Sequence, residues 1–422
     1  MREIELSSVI TDIAAGPFGS NLKVECFVPS GFPIVDGANL KSYKVTDNIT
    51  KFVTEKKARS LGRSIAKRGD VIVTISGTLG QISYIPDDSK YTEYLCSQRQ
   101  FRVSFDESKV YAPYLVFYFH TYEGQNKILS FANQTGVPAL SQPLKNFKKI
   151  RLQLPPLEQQ KKIASVIEAI NRKIEYNQKI NDNLEQQLML LYDYWFTQFD
   201  FPDNDGNPYQ TSGGKMVWND TLKRNIPENW KVQSVISNCL SSIIKPGVEI
   251  FNTKTYLATA DVKGTSISTG TIVDYDGRES RANMQPSINS VWFAKMKNSI
   301  KHLYLNKEMQ PIISSCILST GFCGLQCNEI SFEYIASYVS NAYFEIHKDM
   351  LAHGATQEAV NNDDLAGVHI IIPEDTVLRA YHEATQAIYA QISKNICENQ
   401  ELVKLRDWLL PMLMNGQATI SD

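Results

Sequence analysis

The chain has 422 residues, 43% hydrophobic and 21% charged, the balance of a soluble globular protein. That length suggests two to three domains with cores of their own, and it excludes a mostly disordered or fibrous chain. Net charge is −2, but residues 1–156 carry 20 Lys/Arg against 14 Asp/Glu, whereas the remaining 266 residues carry 23 against 31. The basic first segment points to a polyanionic partner. No basic leader precedes an apolar stretch at Met1-Arg2-Glu3-Ile4-Glu5, no run of about 18 apolar residues follows, and seven cysteines make an odd number. A cytoplasmic protein with reduced thiols is expected.

In chain order, Gly69–Gly77 reads as a buried strand ending in a glycine turn, and Tyr114–Phe119 as a short apolar element. Ile150, Leu152 and Leu154 alternate before Pro155, the pattern of a half-buried strand closed by a residue that cannot continue the ladder. A long helix follows over 157–196. Its apolar positions Ile163, Ile167, Ile170, Ile174, Leu184, Leu188, Leu191 and Trp195 keep a four-three rhythm, interrupted by Asn177 and Asn181. This is a coiled-coil seam in which polar asparagines set register at a cost in stability.

The stretch Phe201–Gly214, rich in Gly, Pro, Asp and Ser, reads as a connector. Beyond it, Ser290–Lys295 and Pro311–Gly321 look like the strand over 69–77, and Tyr334–Val339 looks like Tyr114–Phe119. At an offset of 218 residues, Val368, Ile370, Ile372 and Pro373 repeat the alternating strand. A second helix over 374–414 repeats the seam as Tyr381, Thr385, Ile388, Ile392, Asn395, Asn399, Leu402, Arg406, Leu409 and Leu413, with Pro411 clouding its last turn. The chain is therefore an internal repeat. The expected fold is α+β: two similar mixed domains, each followed by a long helix, the helices pairing as an antiparallel coiled coil. Asn177 is expected near Asn399 and Asn181 near Asn395. The expected boundaries are 1–155 (domain), 156–198 (helix), 199–228 (linker), 229–373 (domain), 374–414 (helix) and 415–422 (tail).

Motifs for chemistry are scarce. No phosphate-binding glycine loop or dinucleotide fingerprint occurs, and no adenine-flipping Asn-Pro-Pro-Tyr/Phe. His382-Glu383 lacks the second histidine of a zinc-protease helix, and Cys323 and Cys327 lack a second ligand pair. The six histidines have no catalytic neighbour in sequence. No catalytic, cofactor or metal site is expected. Candidate DNA contacts are Lys67, Arg68, Gln98, Arg99, Gln100, Lys145, Lys148 and Lys149 in the first domain. In the second they are Arg278, Arg281, Lys295, Lys297, Lys301 and Gln357. Arginine and glutamine suit base edges, and lysines at turns suit phosphates.

The order and spacing of these pieces resemble the specificity subunit of type I restriction–modification systems. Carrying the resemblance are Gly69–Gly77, Leu154-Pro-Pro-Leu-Glu-Gln-Gln160, Phe201–Gly214 running into Ile226-Pro-Glu-Asn-Trp230, Val291–Lys297, Leu318–Phe322 and Gly354–Gln357. The resemblance implies two target-recognition domains reading a split DNA sequence. It also implies helices that space those domains and dock two adenine-N6 methyltransferase subunits, with restriction and translocase subunits joining through the complex. S-adenosylmethionine, ATP and Mg would then belong to the partners, and this chain would be no enzyme. One departure is that residues 229–373 hold 11 Lys/Arg against 13 Asp/Glu, so the second domain is not basic. A methylation-only specificity subunit, or a freestanding DNA-binding regulator, is the alternative.

Overall fold

The computed structural model describes residues 2–133, 137–354, 358–418 and 420. It divides into two compact units, residues 1–171 with 404–422, and residues 172–403. The division falls inside both long helices.

In the first unit, strands Ile10–Ala15, Gln100–Phe105, Val71–Thr74 and Ile82–Tyr84 form a four-stranded antiparallel sheet in that spatial order. Val71-Ile-Val-Thr is buried at all four positions, because helices cover one face and a second sheet the other. Helix Ala112–His120 starts with Pro113 in its first turn, where a missing N–H costs nothing, and buries seven of its nine residues. Thr121 caps the following helix, Tyr122–Leu129, by accepting from the Gly124 N–H at 3.1 Å. Val71, Val73, Phe101, Val103, Tyr114 and Phe117 form the centre of this core. The second sheet pairs Phe32–Val35 in parallel with Glu93–Cys96, with Ile65–Lys67 at one edge.

The second unit repeats this plan. Strands Ser241–Ile243, Phe322–Cys327, Ser290–Ala294 and His302–Leu305 lie in the same spatial order. Helices Phe332–Ser340 and Ala342–Met350 follow, the latter capped by Asn341. Thr253–Leu257 pairs in parallel with Cys316–Ser319, flanked by Ala282–Met284. Each half is closed alike. Arg2–Glu5 pairs with Arg151–Leu154, and Lys231–Ser234 with His369–Ile372, both antiparallel. The alternation read from sequence is real: Leu152 and Leu154 are buried and Arg151 and Gln153 exposed.

One local reading changes. Cys316–Ser319 occupies the place of Glu93–Cys96, not of the strand over 69–77, and Pro311 lies in the first turn of a short helix, Gln310–Ser315. The connector is ordered: Asp200 accepts from the Thr211 N–H and hydroxyl at 2.8 and 2.7 Å, and a hairpin pairs Met216–Asn219 with Arg224–Pro227. Side-chain acceptors thus supply turn bonds that Gly/Pro-rich composition alone does not reveal. The first long helix, α1, is regular over Leu157–Tyr192 and ends in a wider turn, Asp193–Thr197. The second, α2, runs over Asp375–Met414 with Pro411 inside it, where a missing N–H near the C-terminus removes only one bond.

The helices pair antiparallel. In the second unit Asn177 Nδ2 donates to Asn399 Oδ1 at 2.9 Å and to Glu398 Oε2 at 2.7 Å. Asn395 Nδ2 donates to Asn181 Oδ1 at 2.7 Å, and Asn181 Nδ2 to the Ile392 carbonyl at 3.3 Å. The rings of Trp195 and Tyr381 lie 5.4 Å apart. The residue numbers of the two asparagine–asparagine pairs and of Trp195 with Tyr381 add to the same total, as an antiparallel register demands. The 218-residue offset maps Asn177 onto Asn395 and Asn181 onto Asn399, so each asparagine pair is the image of the other. In the first unit Ile163 and Ile167 share a core with Leu410 and Leu413, and Arg406 donates to Asn171 at 3.2 Å.

Candidate nucleic-acid interface

Parallel pairing of Phe32–Val35 with Glu93–Cys96 sets two strand exits side by side. Val71–Thr74 delivers a third, and the turns that follow enclose an open polar cleft of about 550 Å³ in the first unit. Its walls come from residues 36–38, 76–78 and 97–100, with Lys51, Thr74 and Gln81 between them. Loop residues positioned by buried strands are a common way of building a recognition surface.

The cleft is braced from within. Asp36 caps its own turn by accepting from the Ala38 N–H at 2.9 Å, and pairs with Lys51 at 2.6 Å. Gln81 Nε2 donates to the Gly37 carbonyl at 3.0 Å, and Thr74 Oγ1 donates to Gln81 Oε1 at 3.0 Å. The Ile75 N–H donates to the Arg99 carbonyl at 2.7 Å, tying the second and third turns together. These bonds hold the walls in one geometry, so a ligand meets a preorganised surface.

The candidate residues divide by what their side chains already do. Gln98, Arg99 and Gln100 share the cleft. Gln98 Nε2 reaches the Leu22 carbonyl at 2.7 Å and anchors the loop before Val24. Gln100 is buried in its strand, and its Oε1 accepts from Ser97 Oγ. Arg99 is exposed and carries no ion pair among the described residues. Lys67 lines a different crevice, which shares no residue with the first and is built around Arg102, Asp12, Asp70 and Ser104. There the Arg102 guanidinium, 2.5 Å from Asp12, holds that carboxyl below its usual range, whereas burial raises that of Asp70. Arg68 donates to the Ser89 carbonyl at 2.5 Å. Lys145, Lys148 and Lys149 are exposed on and after helix Pro143–Lys148, without ion pairs among the described residues.

In the second unit the equivalent turns follow Thr253–Leu257, Ser290–Ala294 and Cys316–Ser319. The cations clustered there in sequence are partly engaged. Lys297 pairs with Glu358 at 2.8 Å, and Lys301 Nζ donates to the Thr259 carbonyl at 2.5 Å. That last bond takes the place of Gln81 to Gly37. Arg278 stacks over the Tyr275 ring at 3.9 Å, Lys295 is partly buried, and Arg281 is exposed. Gln357 lies outside the described residues. The sequence reading missed Asp36, Lys51, Thr74, Thr78 and Gln81. The available signal was polar residues placed at the ends of strand-like runs.

Histidines that look isolated in sequence have carboxylate neighbours in space, Glu345 for His302 and Glu333 for His382, both at 2.9 Å or less. Among the described residues no group of three or more His, Cys, Asp or Glu could hold a metal ion. Among the described residues no helix is long and apolar enough to cross a membrane either.

Residues 45–186 match the model of the type I restriction modification DNA specificity domain. The type I restriction enzyme MjaIX specificity subunit of Methanocaldococcus jannaschii is 22% identical over 98% of this chain and 92% of its own length. The HindI specificity subunit of Haemophilus influenzae is 23% identical over 64% of this chain and 69% of its own. Among solved structures, the type I S subunit from M. genitalium shares the fold, with a TM-score of 0.52 at 12% identity, covering 100% of this chain and 96% of that one. The chain is thus similar to a type I specificity subunit over 98% of its length.

Proposed function

From this kinship we propose that the chain is the non-catalytic DNA-recognition subunit of a type I restriction–modification complex. Two recognition domains, 1–155 and 229–373, each read one half of a split target. The helices over 156–198 and 374–414 dock two adenine-N6 methyltransferase subunits, and through them the restriction and translocase subunits. Residues 199–228 link the halves, and 415–422 form a tail. S-adenosylmethionine, ATP and Mg are held by the partners, and the complex works in the cytoplasm.

The observation that carries this reading is one architecture built twice in a single chain, with polar turns converging at the same strand exits and different side chains in each copy. A duplicated scaffold with diverged rims suits two readers of unlike half-sites, as a symmetric dimer suits a palindrome. The near-neutral second domain predicts weak binding by the lone chain, since phosphate contacts supply most non-specific affinity.

The test is co-expression with a type I methyltransferase subunit of the same genome in a strain lacking adenine methylation, followed by long-read mapping of N6-methyladenine. One split motif, methylated in both halves and absent without this chain, is expected. An unsplit motif, or methylation indifferent to this chain, would contradict the reading.

A further inference from the structure

We infer that Arg99 reads a guanine edge in one half-site, and that the second domain lacks this contact at the equivalent place. The inference rests on the cleft being a DNA-reading surface. Three charged side chains line the cleft: Asp36, Lys51 and Arg99. Asp36 and Lys51 neutralise each other at 2.6 Å. Arg99 alone projects a charge that nothing among the described residues engages.

Its backbone is fixed although its side chain is free. The Arg99 carbonyl takes the Ile75 N–H at 2.7 Å, and Gln98 beside it is tied to Leu22. The guanidinium lies next to Gly77, where a Cβ would sit 3.8 Å from Nη1. Gly77 has φ of 95° and no side chain to shield the head group. An exposed fork of donors on a rigid turn is what bidentate recognition of guanine O6 and N7 requires. Because the turn is already fixed, no backbone has to be ordered when Arg99 binds.

The repeat supplies the contrast. Lys295 N donates to the Gly321 carbonyl at 2.9 Å, as Ile75 N does to Arg99, so Gly321 stands where Arg99 stands. A Cβ there would meet Thr259 Cγ2 at 2.8 Å, so that turn has no room for a side chain without a shift. The second domain presents Arg281 near this turn instead, its carbonyl taking the Thr320 N–H at 2.8 Å, from a different strand edge. The second domain therefore has no arginine side chain at the place Arg99 occupies in the first.

The experiment uses the complex of this chain with its methyltransferase and duplexes carrying the mapped motif. Each guanine in turn is replaced by 7-deazaguanine, which lacks the N7 acceptor. The wild-type complex should lose roughly five- to a hundredfold in affinity at one guanine, and the R99Q complex should lose nothing from that same replacement. R99K, which keeps the charge but not the planar fork, should retain binding to unrelated DNA and lose the discrimination. The inference is overturned if R99Q remains as sensitive as wild type at every guanine. It is also overturned if R99Q weakens all duplexes by one common factor, the signature of a phosphate contact, or if the motif contains no G·C pair. Absence of any chain-dependent motif would instead overturn the underlying reading.

Discussion

At one helix position the first half of the molecule buries Ile128 and the second buries Lys348, which is wholly inaccessible to water. The swap is not solitary. Where the second half has His302, Glu345 and Lys348, the first has Ile82, Gln125 and Ile128 at an offset of 220. Glu345 accepts from Lys348 at 2.6 Å and lies 2.9 Å from His302 Nε2. Gln125 instead donates to the carbonyls of Gly80 and Phe119 at 2.9 and 2.6 Å. One scaffold thus accepts an apolar or an ionic core, provided the partners change together. Burial of charge is tolerated because every charged group has a mate. The same freedom at the rims lets the turns at the two sets of strand exits diverge without altering the strands beneath them.

The sharpest way to break this comparison is to change one member. K348I should cost about 3–5 kcal/mol, because it leaves the Glu345 carboxylate buried without its main cation. The triple change to the first half's residues, His302→Ile, Glu345→Gln and Lys348→Ile, should recover most of that loss. Denaturant midpoints for the single and triple variants check both expectations. A triple variant no more stable than K348I would show that the two cores are not interchangeable.

A smaller effect is expected at the helix pair, where the halves should behave as images. N395A strands the buried Asn181 oxygen and should cost about 1–3 kcal/mol. N177A removes the imaged donor but leaves Asn399 partly exposed and should cost less. Replacing Asn181 and Asn395 together by leucine should be near neutral in stability while loosening register. Distance measurements between spin labels on α1 and α2 would read the slip as a broadened distribution.

The smallest effect is a difference in pH dependence. Burial raises the carboxyl of Asp70 above 3.8 in the first half. In the second half burial also works to raise Glu345 above 4.5, but bonds from His302 and Lys348 outweigh it and hold the group lower. A raised carboxyl stabilises at low pH and loses that contribution as pH rises through its folded value; a lowered one does the reverse. On acidification from pH 5 to 3, D70N should therefore fall behind wild type and E345Q should gain on it. Melting temperatures across that range test the opposite signs.

Much of the fold was legible because periodicity survives in one dimension. The four-three seam with its paired asparagines and the alternating strand before each proline carry their geometry in their spacing. The cleft was only half legible. Gln98, Arg99 and Gln100 suggested base contacts by type, yet Gln98 is engaged with Leu22 and Gln100 is packed in its strand. Asp36 meets Arg99 through the parallel pairing of Phe32–Val35 with Glu93–Cys96, and Gly77 meets it through the antiparallel pairing of Val71–Thr74 with Gln100–Phe105; partners so far apart in sequence leave no local signal. Likewise Lys297 and Lys301 read as a basic cluster, but Glu358 and the Thr259 carbonyl that engage them are distant in sequence.

The measurement that tests the central claim most directly is an exchange of one half. Residues 1–154 would be replaced by the corresponding segment of a type I specificity subunit, and N6-methyladenine mapped with the same methyltransferase present. The account predicts that one half of the methylated motif changes while the other half stays. A motif altered in both halves, or in neither, would contradict two independent readers on one repeated scaffold.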